Sequence, residues 1–197
     1  MGLLVLGLII FIGTHSFSMA RDRRAAVIKR IGEGSYKGLY SLLSLAGVVL
    51  ISIGYGQYRA EGYIPVWEPP IWTRHLALPL VWGAFVFFVA AYFPGHITRR
   101  LKHPMLAGVK IWAFAHLLAN GDLGSIILFG SILAWAVVAR ISAKRRDVAA
   151  QHGAPATPPA GFRNDVLATV IGTAAYIAFV IWLHPVLIGV PALPMPA

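Results

Sequence analysis

Residues 103–140 read HPMLAGVKIWAFAHLLANGDLGSIILFGSILAWAVVAR, two apolar runs joined by NGDLGS, and this stretch decides the fold. Each run approaches the roughly 20 predominantly apolar residues that a helix needs to cross a hydrocarbon core. The joint is so short that the two helices must form a tight antiparallel hairpin, with Asn120-Gly121 suited to the C-cap of the first. Pro104 stands at the start of that helix, where its missing N–H would have had no helical partner anyway.

Working outward on the same length scale gives about six spans, at roughly 2–20, 38–57, 75–94, 104–120, 124–141 and 165–190. Pro185 and Pro191 fall near the end of the last one, so that helix is expected to stop or kink near His184. The opening MGLLVLGLIIFIGTHSFSMARDRR has no positive residue ahead of its apolar run and no small-residue cleavage site, and reads as a retained first span. No internal repeat stands out.

Composition agrees. Of 197 residues, 58% are hydrophobic and 12% charged, and the mean hydropathy is +0.72, far too apolar for a water-soluble domain of this size. The absence of cysteine excludes disulfides, thiolate metal sites, iron–sulfur clusters and a cysteine nucleophile. The formal charge of +10 does not point to nucleic acid, because the basic residues sit in short loops between apolar runs.

Those loops alternate in charge. Arg21, Arg23, Arg24, Lys29, Arg30 and Lys37 follow the first span; Arg99, Arg100 and Lys102 follow the third; Lys144, Arg145, Arg146 and Arg163 follow the fifth. The loop after the second span has only Arg59 and Arg74, and the loop after the fourth has none. By the positive-inside rule both termini face outward. The expected fold class is an all-α integral membrane protein, one bundle of about six transmembrane helices over 1–197 in a bacterial inner membrane. Residues 147–163, rich in Ala, Pro and Gly, read as a flexible cytoplasmic loop.

Titratable groups inside hydrocarbon need a partner or a task. Of seven histidines, His152 falls in that loop, while His75, His184, His96 and His103 fall at span ends, where water and headgroups satisfy an imidazole. Only His15 and His116 lie well inside apolar runs. Beside His15, Gly13, Thr14, Ser16 and Ser18 are small or hydroxyl-bearing and let another helix approach. Gly108, Trp112 and His116 share one helix face, four apart, whereas Lys110 points about 120° away and can reach the cytoplasmic headgroups. Two intramembrane imidazoles on separate helices suit either axial ligation of a haem iron or interhelical hydrogen bonds. At 1.5 Å per residue in upright helices, His15 lies roughly 9 Å and His116 roughly 20 Å from the inner edge, so one haem between them needs tilt.

THSFSMARD in the first span, HPMLAGVKIWAFAHLLANGD and LGSIILFGSILAWAV together resemble the NnrU membrane family, named for a link to nitrite and nitric oxide reduction in denitrifying bacteria. The resemblance covers essentially the whole chain. The same family includes the zeta-carotene isomerase of plants and cyanobacteria, which carries haem b on histidine ligands and isomerises a cis double bond in a redox-dependent way. Carried over by motif, those ligands fall on His15 and His116, with Trp112, Lys110 and Asn120 as supporting residues and Lys110 open to a propionate. The isomerase has a cysteine where this chain has Ala113, so any exchange of ligands at that position is closed here, and the substrate does not transfer.

The resemblance implies a redox or regulatory role tied to nitrite and nitric oxide metabolism, or an isomerase-like activity, with membrane redox or denitrification proteins as partners and no nucleic acid. A second class of reading is a non-catalytic membrane assembly or regulatory factor, for which Gly2, Gly7, Gly13, Gly124 and Gly130 supply small-residue packing faces. A third starts from KHPMLAG, which is similar to a segment of S-adenosylmethionine-dependent membrane methyltransferases. Lys102 and Leu106 depart from that motif, and the last span lacks its acidic and arginine residues.

Overall fold

A computed structural model describes residues 1–150 and 161–193, and every regular element among them is helical. In order they are α1 (Gly2–Phe17), α2 (Arg21–Ile31), α3 (Glu33–Ala60), α4 (Ile71–Ala90), α5 (His96–Leu101), α6 (Pro104–Ala119), α7 (Leu123–Ala150) and α8 (Phe162–Ala178). A π-helical turn, Phe179–Leu183, then leads into α9 (His184–Ile188). Residues 151–160 of the expected loop, and His152 with them, lie outside the described residues.

α3, α4, α7 and the run from α8 to α9 are each long and apolar enough to cross a membrane; α1 and α2 make a fifth such element only if the pair, bent by 91°, is one span. α6 is apolar but shorter. Large apolar side chains stand exposed along these helices, among them Ile9, Leu42, Val138, Val170 and Trp182. A water-soluble chain of this length does not leave so much apolar surface uncovered, whereas lipid covers it without cost.

The helix ends depart from sequence expectation where charge or capping intervenes. The first span was expected to reach residue 20 but ends at Phe17, where Ser18 turns its hydroxyl back on the His15 carbonyl at 2.6 Å and the charged α2 leaves at the bend. The fifth was expected to stop at 141, yet α7 continues through Lys144–Arg146 to Ala150. At its other end Asp122 caps α7, accepting the Ser125 N–H at 2.9 Å and its hydroxyl at 2.6 Å. The last helix does not stop at Pro185 but continues to Ile188. The missing N–H is absorbed by the π turn, in which the His184 N–H donates to the Phe179 carbonyl, and Gly189 closes α9 with φ of 75°.

The chain forms two compact units. The first comprises Met1–Glu68 and Asn120–Ser142. In it α1 lies against α3 with almost no side chain between backbones: a Cβ on Gly54 would strike the Leu4 backbone, and one on Gly7 would come within 2.6 Å of the Ile51 nitrogen. Of the glycines expected to pack, Gly7 and Gly124 meet neighbours, while Gly2, Gly13 and Gly130 face open space. The loop after α3 is pinned to the α6–α7 joint: Val66 and Trp67 donate to the Gly121 carbonyl, and Leu123 donates to Ile64.

The second unit comprises Pro69–Ala119 and Ala143–Ala197. α4 is its centre. Gly108 of α6 admits Phe88 and the Ala84 carbonyl, and Gly172 of α8 admits the Val86 backbone. Asp165 at the start of α8 caps the short α5, accepting the His96 and Ile97 N–H groups, both at 2.9 Å, and the His96 ring at 2.8 Å.

Candidate functional site

Tautomer sorts the histidines more sharply than depth does. His15 sits one turn from the end of α1, with Nδ1 2.8 Å from the Phe11 carbonyl oxygen. A carbonyl can only accept, so Nδ1 carries the proton and a neutral ring keeps its lone pair on Nε2. His116 repeats this on α6, its Nδ1 donating to the Trp112 carbonyl at 2.8 Å. A backbone carbonyl on one ring nitrogen is the arrangement that orients an imidazole for metal ligation by the other. His184 shares it, with Nδ1 donating to the Val190 carbonyl at 2.7 Å.

The other histidines do different work. His96 is held by Asp165, and His103 donates from Nε2 to Asp147 at 2.8 Å, so both are tied to carboxylates at helix ends. His75 is exposed on α4. His96 and His103 thus have carboxylate partners, and His75 lies at an exposed position. His184, placed with them by sequence position, has instead the same ring arrangement as His15 and His116.

In the first unit His15 is wrapped by rings. Its centroid lies 4.1 Å from that of Phe11, 5.3 Å from Tyr40 and 5.6 Å from Trp135, the last edge-on at 84°. Tyr36 continues the series 6.4 Å from Tyr40, and the Arg24 guanidinium lies 5.5 Å over the Tyr36 ring. Among the described residues of this unit, Trp135 Nε1, the Tyr36 hydroxyl and Ser44 Oγ are buried without a hydrogen-bond partner, and the first two belong to this ring series. The sequence reading passed over these residues. Their signal was present in SYKGLYS, which places two tyrosines one helical turn apart at the polar border of a span, and in the lone indole of SILAWAVV.

In the second unit His116 stacks on Trp112 with centroids 4.8 Å apart, as their spacing of four predicts. Ala113 and Ala115 beside it are fully buried. Lys110 is half-buried on α6 and makes no hydrogen bond or ion pair among the described residues, in keeping with a long side chain that reaches for headgroups. Asn120 follows the last residue of α6, Ala119. His15 belongs to one unit and His116 to the other. Among the described residues no group of three or more His, Asp or Glu side chains is arranged to hold a metal ion. The first unit offers one oriented imidazole, His15, and the second offers two, His116 and His184.

The family model described as NnrU protein matches residues 3–192. The searches of curated proteins and of solved structures gave no match.

Proposed function

The chain belongs to the NnrU family of membrane proteins, and from that premise we propose that it binds haem b with His15 and His116 as iron ligands. The protein is a bacterial inner-membrane component that crosses the bilayer six times, through α1, α3, α4, α6, α7 and the α8–α9 run, with both termini outside. Its role is redox or regulatory, linked to nitrite and nitric oxide metabolism or to a redox-dependent isomerisation.

The observation that carries this reading is the shared tautomer: on both histidines a main-chain carbonyl takes the Nδ1 proton, which leaves the Nε2 lone pair for iron. The donor set fits the cofactor in chemistry, being neutral imidazole in apolar, ring-lined surroundings. Bound haem would supply one-electron exchange and an iron centre that takes diatomic ligands such as nitric oxide. The chain's own residues do the rest. Phe11 and Trp112 fix the two rings through their carbonyls, and the Phe11, Tyr40 and Trp135 rings keep water from His15. Alanine at position 113 offers no competing sulfur ligand.

The test is the absorption spectrum, oxidised and dithionite-reduced, of protein purified in mild detergent from haem-supplemented cells. A Soret band with sharp reduced α and β bands is the expected result. A flat spectrum from folded protein overturns the haem reading. It would favour a membrane assembly factor, for which the uncovered Gly13 and Gly130 offer places where a partner helix can approach.

A further inference from the structure

We propose that Trp135 and Tyr36 bind a carboxylate next to His15; on the haem reading above, on which this rests, that carboxylate is a haem propionate.

Buried polar atoms are nearly always hydrogen-bonded, so two orphans in one neighbourhood call for a cause. Trp135 Nε1 and the Tyr36 hydroxyl are both buried and unbonded in the first unit. Both belong to the ring series around the one imidazole of that unit: Trp135 meets His15 directly, and Tyr36 meets it through Tyr40. An indole N–H can only donate, so whatever satisfies Trp135 must accept. The cation of Arg24 over the Tyr36 ring favours an acceptor with negative charge.

No carboxylate of the unit's own is paired with these donors. Glu33 is exposed and paired with Lys37 at 2.8 Å, and Asp122 is occupied at the start of α7. Asp22, Glu61 and Glu68 are exposed on the surface. None of the unit's own carboxylates is thus available to these donors, which leaves room for a carboxylate brought by a ligand. A ligand that offers a metal to Nε2 of His15 and a carboxylate to the neighbouring donors matches both halves of the cluster.

Titration of haem-free protein with iron protoporphyrin IX and with its dimethyl ester, followed at the Soret band, tests this. Wild type should bind the free acid more tightly than the ester. Trp135→Phe and Tyr36→Phe, which each remove one donor and keep a ring, should each weaken free-acid binding by about tenfold, narrow the preference over the ester, and leave the low-spin spectrum unchanged. Tyr63→Phe, the same chemical change on the exposed loop, should have no effect. Equal binding of acid and ester by wild type, or both variants behaving as wild type, overturns the carboxylate site while leaving the haem reading intact. No Soret band with either porphyrin overturns both.

Discussion

The two units hold His15 and His116 in the same tautomer but in opposite kinds of surroundings. Around His15 the neighbours are the rings of Tyr40, Tyr36 and Trp135, two of which carry unbonded donors, Tyr36 and Trp135, with a guanidinium at the margin. Along the His116 helix, Gly108, Ala113 and Ala115 let the helix pack closely, and Trp112 is the ring that His116 stacks on. The first environment costs free energy as it stands, since a buried polar group without a partner is unfavourable by about 1–3 kcal/mol. The second is satisfied by close packing. On the carboxylate proposal, recognition falls to the first unit and support to the second.

The largest effect that can break this comparison is spectral. His15→Ala and His116→Ala should each abolish or shift the Soret band, and His152→Ala should leave it unchanged. His184→Ala sharpens the test, because His184 shares the tautomer of His116 and both belong to the second unit. If His184→Ala removes the band while His15→Ala retains it, the iron is held within the second unit and the role given to the first is wrong.

Next in size are the helix contacts on which each histidine depends. Gly54→Leu would drive a side chain into the Leu4 backbone and should destabilise the first unit by about 2–3 kcal/mol. The matching change in the second unit, Gly172→Leu, meets the Val86 backbone and should cost a similar amount. Gly13→Leu faces open space and should cost almost nothing. Thermal unfolding in detergent separates them. If haem retention in Gly54→Leu falls while Gly172→Leu retains it at equal stability loss, recognition does sit with the first unit.

Much of this was legible in the sequence, and the part that was not has a common reason. The Trp112–His116 stack follows from local spacing, and the irregular turn ahead of Pro185 follows from proline's missing N–H, so both were readable. His15 and His116 stood out because imidazoles in apolar runs are rare. The 91° bend after α1 was not anticipated, although the RDRR that follows it is too charged to continue a span. The surroundings of His15 depend on residues 25 and 120 positions further along the chain, which no periodicity links to it. The capping of α5 by Asp165 is likewise a long-range contact, and reading by span gave Asp165 no role.

That cap gives a smaller effect. Asp165→Asn keeps the shape but loses the charge that two backbone N–H groups and the His96 ring share, and should cost the second unit about 1–2 kcal/mol. The change lies in the second unit, whereas His15 belongs to the first, so thermal unfolding should show the loss with the Soret position unmoved.

The smallest expected effect is at Pro185. Replacing it with alanine restores a backbone N–H, so the π turn Phe179–Leu183 can relax to α geometry. The gain of one hydrogen bond is offset by the loss of contacts that the π turn creates, such as Phe179 against Phe85 with centroids 5.5 Å apart. Stability should change by less than about 1 kcal/mol. The informative readout is the turn itself. Taking one residue out of a helical register rotates everything beyond it by about 100°, so the His184 ring, with the Val190 carbonyl that it donates to, would turn to a new direction relative to α8. Amide exchange over 181–188 should slow in Pro185→Ala, while the haem spectrum stays as in wild type. A spectrum that changes with the register would show that the second unit contributes His184 as well as His116 to the iron site. The π turn would then be the device that aims the ring, a role that π turns at functional sites often serve.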